Sequence, residues 1–162
     1  MPEISILGWT HTIIAIIGIF AGISTLAKNK FISLEIKSGK IYLACTLYAA
    51  ATALMIFAHG FFGPAHILAI LTLLALISGV VVEKTQLLGK LSPYFQAMAY
   101  SATLLFHMIP AITDGLMRLP VGSPIVTDIE DPLLKSFYGL FLIIYLIGFG
   151  LQVKILRQRA SS

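Results

Sequence analysis

Apolar residues run along this chain in five stretches of about 20 residues, at 8–27, 41–61, 64–83, 93–114 and 133–153, divided by polar links. About 20 apolar residues is the length an α-helix needs to cross the hydrocarbon of a bilayer. The pattern predicts an all-α integral membrane protein: five transmembrane helices in a compact antiparallel bundle, one domain over residues 1–162. Between the second and third stretches, Gly60 and Gly63 allow a tight reversal and Pro64 suits the first turn of a new helix. The one long link, GLMRLPVGSPIVTDIEDP at 115–132, has three prolines and two glycines and reads as a structured loop or lid.

Within the stretches, polar and small residues fall on single faces. His11 shares a face with Ala15, Gly18 and Gly22, a small-residue stripe of the kind that packs against a neighbouring membrane helix. His59 lines up with Met55, Thr52 and Tyr48, and His107 continues a row of Gln96, Tyr100 and Thr103. Polar side chains in membrane helices turn toward the bundle interior. His66 is less clearly inward, because Ala69, Ile70 and Leu73 follow it on its face. Tyr138 and Tyr145 share a face of the last stretch, which reads as a packing helix.

Composition agrees. The chain is 58% hydrophobic and 11% charged, with mean hydropathy +0.95, where a soluble domain carries about 25% charged residues. Nine of the eleven bases lie in three segments: Lys28, Lys30, Lys37 and Lys40; Lys84 and Lys90; Lys154, Arg157 and Arg159. Five crossings put these on one side, and the positive-inside bias makes that side cytoplasmic, with the N-terminus outside. The same bias accounts for the basic pI without nucleic acid. The opening MPEIS has an acid and no base, which favours a retained first helix over a cleaved signal. The expected setting is a bacterial inner membrane, with the bilayer as partner and the 115–132 loop as a surface for a protein partner. The single cysteine, Cys45, excludes an intrachain disulfide and a thiolate metal cluster.

All four histidines, His11, His59, His66 and His107, fall toward the outer ends of four different helices. Imidazole is the commonest metal ligand, so the pattern points to a shared transition-metal site, with Asp114 as a fifth ligand or a carboxylate orienting His107. All-nitrogen ligation suits zinc, copper, iron or nickel. An open fourth position would allow redox or hydrolytic chemistry, with Asp114 as general base, although no HExxH motif is present. Whether the chain is an enzyme stays open. The second expectation is one haem b held by two of these histidines, in electron transfer. A third is a cofactor-free assembly or accessory subunit. No P-loop, dinucleotide fingerprint or nucleophilic serine motif occurs.

Two stretches, HTIIAIIGIFAGISTLAKNKFISLEIKSGKIYL and HILAILTLLALISG, resemble a group of uncharacterised small bacterial multi-pass membrane proteins. Those proteins have a histidine opening the first helix and a basic link of the form HRxxGxxY. Gly39 and Tyr42 match that link, whereas Glu35 and Ile36 stand where His-Arg is usual. The resemblance covers about residues 11–80 and implies family-like roles for His11 and His66, with a distant relation to membrane b-type cytochromes.

Overall fold

The computed structural model describes residues 4–57 and 62–161. Five α-helices follow in order: α1 (Ile6–Asn29), α2 (Lys37–Ala53), α3 (Pro64–Thr85), α4 (Ser92–Arg118) and α5 (Pro132–Ser161), with a 3-10 turn at Gly89–Leu91. No strand occurs among the described residues. Local chemistry sets the ends. The Ser5 hydroxyl accepts from Gly8 N–H to cap α1, Pro64 opens α3, and Lys30 (φ 70°) and Gln86 (φ 52°) close α1 and α3 in the left-handed region.

Each helix packs on the next in the chain, and α1 also touches α4. Contacts at both ends make neighbours antiparallel. At the basic end Gln152 donates to the Lys30 carbonyl and Gln96 to the Ile32 carbonyl. At the other end His11 meets Thr52, and Thr113 meets Tyr138. Four of the helical segments, α1, α3, α4 with its leading turn, and α5, are long and apolar enough to cross a membrane.

Three boundaries differ from expectation. The second helix was expected over 41–61 but ends at Ala53 after 17 residues. Met55 and Ile56 bond back to Thr52 and Ala53 in turns, and Phe57 leaves the helix to lie against the His66 ring. An aromatic contact with α3 thus takes the place of a further helical turn at 54–57, and the rest of the expected helix, 58–61, lies outside the described residues. The fourth helix, expected to stop at 114, continues to Arg118, because Arg118 pairs with Asp114 one turn earlier at 2.6 Å. The fifth runs on through the basic tail to Ser161. The 119–131 loop is pinned by Val126, buried and bonded to the Leu116 carbonyl, and by a turn at Pro120–Ser123.

The interior is small-residue and polar more than large and aliphatic. A Cβ on Gly22 would stand 2.8 Å from the Tyr42 ring, one on Gly79 2.6 Å from the Tyr100 ring, and one on Gly18 2.9 Å from Cys45. These three glycines let α1 approach α2, and α3 approach α4, with the tyrosine rings filling the seam.

Candidate functional site

His11, His66 and His107 lie toward the end of the bundle away from the basic links. On α1, His11 Nδ1 lies 3.0 Å from Thr52 Oγ1. The Thr52 hydroxyl donates its own proton to the Tyr48 carbonyl at 2.8 Å. In the tautomer in which Thr52 Oγ1 accepts from His11 Nδ1–H, the lone pair of a neutral His11 stands on Nε2. On α4, His107 is buried edge-on to Tyr42, ring centroids 6.3 Å apart, and its Nε2 is enclosed without a hydrogen-bond partner among the described residues. His11 lies near enough to both His107 and Asp114 to sense their charge.

His66 is differently employed. It stands in the first turn of α3, where its Nδ1 accepts from Gly63 N–H at 3.2 Å, capping the helix as a capping-box side chain does. Phe57 and Phe62 stack on its ring at 4.6 and 4.9 Å. With Nδ1 accepting, a neutral His66 carries its proton on Nε2, which is buried without a partner. Ligation through that nitrogen would require moving the proton and losing the cap. His59, expected as the co-ligand of His66, lies outside the described residues.

Asp114 is half exposed and paired with Arg118 at the mouth of the bundle. Among the described residues, no three of histidine, cysteine, aspartate and glutamate are grouped to hold a metal ion. The structure brings His11 and His107 into one neighbourhood, and assigns His66 to the start of α3.

Below His107 the expected row on α4 does turn inward, and it is extended by residues the sequence reading passed over. Thr103 Oγ1 donates to the Tyr100 carbonyl and accepts from Tyr42 OH at 2.6 Å. Tyr100 OH donates to Glu83 Oε2 at 2.7 Å, and Glu83 Oε1 accepts from Ser33 Oγ at 2.5 Å and Leu34 N–H at 2.8 Å. Glu83 so fastens the α1–α2 link, α3 and α4 at the basic end. Its signal was legible: it is an acid at the very end of an apolar stretch, among lysines. Polar groups thus line the interior from His107 to Glu83.

Compared with family models, curated proteins and solved structures, the chain matches none.

Proposed function

We propose that this chain binds a transition-metal ion, zinc, copper or iron, between α1 and α4 through Nε2 of His11 and Nε2 of His107. The carrying observation is the enclosed, unpartnered Nε2 of His107. Such a buried polar atom costs about 1–3 kcal/mol, a cost that ligation removes. His11 supports the reading, since in the tautomer that donates Nδ1–H to Thr52 its lone pair stands on Nε2. His59 and Asp114 are the groups proposed to complete the shell. An ion with so few protein ligands keeps positions open for water or substrate, as a catalytic site does, so redox or hydrolytic turnover is the chemistry it would supply.

Haem b is the second reading, favoured by the same count of ligands. Haem brings four nitrogens of its own and asks the protein for two axial imidazoles. Two is the number found in one neighbourhood.

Elemental analysis and a visible spectrum of detergent-purified protein test both. Stoichiometric metal in the wild type, lost in His11→Ala and in His107→Ala but kept in His66→Ala, is the expected result. A Soret band lost in the same two variants selects haem. A wild type that takes up neither after reconstitution refutes both and leaves the cofactor-free accessory subunit.

The membrane setting belongs to the same proposal: five crossings, α2 being the shortest, with the basic end in the cytoplasm of a bacterial cell and the 119–131 loop outside. So does kinship with the small multi-pass proteins. The two matched link positions carry structural demands, since Gly39 lies against the Ser33 backbone and Tyr42 is wholly buried.

A further inference from the structure

α1 and α5 both lean on α4 but scarcely touch each other. Between them runs a cleft of about 810 Å³ with α4 as its floor. Its walls are apolar, with Leu26 on α1, Leu105 and Met108 on α4, and Ile144 and Phe149 on α5. No histidine and no carboxylate lines it, so it is separate from the His11–His107 neighbourhood. One end alone is charged. Lys30 and Lys154 line the cleft where α1 and α5 reach the basic side.

The cleft lies within helices long and apolar enough to cross a membrane, so it opens sideways into hydrocarbon. Along α5, Phe141 to Lys154 spans about 20 Å at 1.5 Å per residue. That exceeds the roughly 15 Å of one leaflet, half of a 30 Å hydrocarbon core. An apolar trough one leaflet deep, with ammonium groups at its headgroup level, matches one phospholipid in shape and in sign. Gln152, also in the lining, is already satisfied, accepting from Ser101 and donating to the Lys30 carbonyl. Lys30 spends one proton on the Ala27 carbonyl and keeps two donors. The polar contacts on offer at that end are the ammonium donors of Lys30 and Lys154, with the neutral Gln158 amide beside them.

We infer that this cleft is a binding site for one anionic phospholipid, its acyl chain against α4 and its phosphate between Lys30 and Lys154. Basic pockets between membrane helices on the cytoplasmic side take anionic headgroups in this way. A second copy of the chain fits less well. Inserted in the same sense, it would bring its own Lys154, Arg157 and Arg159 to the same level, like charge against like.

Native mass spectrometry of the full chain, released from detergent containing equal phosphatidylglycerol and phosphatidylcholine of identical acyl chains, tests this. The expected result is one phosphatidylglycerol retained per chain, in preference to phosphatidylcholine. Lys30→Gln/Lys154→Gln should lower that retention about tenfold. Gly148→Leu should lower it too, because a Cβ there meets nothing within 4 Å and the side chain fills the cleft. Lys84→Gln/Lys90→Gln, an equal charge change outside the cleft, should leave it unchanged. Equal retention of the two lipids overturns the site. So does an equal loss in the Lys84/Lys90 control, or a dimer found in place of the lipid-bound monomer. Should Gly148→Leu fail to fold, the two lysine pairs decide.

Discussion

At the scale of single residues, Glu83 ties distant segments together. It accepts from Ser33 and Leu34 in the α1–α2 link and from Tyr100 on α4. Hydrogen bonds to a charged group contribute about 1.5–3 kcal/mol each, and the three are not additive. Glu83→Ala should lower stability by roughly 2–4 kcal/mol in a detergent unfolding titration. Tyr100→Phe removes one donor and should lose about 1.5 kcal/mol. A Glu83→Ala variant as stable as wild type would show that packing and the Gln96–Ile32 bond hold the α1–α2 link without Glu83. His66→Ala should cost about 1 kcal/mol through the lost cap and leave bound metal or haem in place, separating capping from ligation.

The residue scale also shows how far the candidate site could be read in advance. The inward row Gln96, Tyr100, Thr103 and His107 was legible, because helical spacing alone decides which side chains share a face. The employment of each imidazole was not. His66 caps α3 because the Gly63 N–H falls beside its Nδ1, and His11 Nδ1 is engaged because Thr52 Oγ1 lies 3.0 Å away. Those are hydrogen-bond choices that spacing leaves open. Glu83 was overlooked because its lysine neighbours made it look like one more charge at a membrane boundary.

At the scale of elements, the glycines decide which helices pair closely. Gly79 stands against the Tyr100 ring and Gly22 against Tyr42, with no space for a methyl group. Gly79→Ala and Gly22→Ala should each destabilise by about 1–3 kcal/mol through overpacking. Gly148→Ala on α5 should be neutral, or stabilising by up to about 1 kcal/mol, since a Cβ there meets nothing and alanine favours the helix. The three variants in one unfolding series check the contrast. Equal effects would mean that the seams relax around an added methyl. Helix ends follow partners in the same way. α2 stops at Ala53 where Phe57 turns to His66, and α4 gains a turn where Arg118 reaches Asp114.

At the scale of the whole molecule, most of the basic residues gather at one end of the bundle while the two neighbouring imidazoles sit toward the other. With the basic end cytoplasmic, cysteine labelling in a Cys45→Ser background gives a direct check on inverted and intact vesicles. Lys90→Cys should react with an impermeant maleimide only from the cytoplasmic side, and Ser123→Cys only from the opposite side. The reverse pattern would overturn the proposed orientation. The loose contact of α1 with α5 belongs to this scale as well, since neither helix alone shows the cleft that their separation opens.

Length and pattern by themselves determined that the chain is helical, that most of its helices suit a bilayer, and which faces of α1 and α4 turn inward. On α2 the expected row fails, Tyr48 and Met55 being exposed and Tyr42 and Thr46 buried instead. A hydrocarbon solvent leaves a chain with such runs little alternative to helices, and each face repeats with the helical period. Only the tertiary structure decided that His66 caps α3 while His11 and His107 share a neighbourhood, that Glu83 ties one end together, and that a lysine-ended cleft lies between α1 and α5. Each of these depends on the rotation and spacing of one helix against another, and on which backbone group a side chain meets first. Helix rotation is set by contacts such as glycine against tyrosine, between residues far apart in the chain, and no local pattern encodes it.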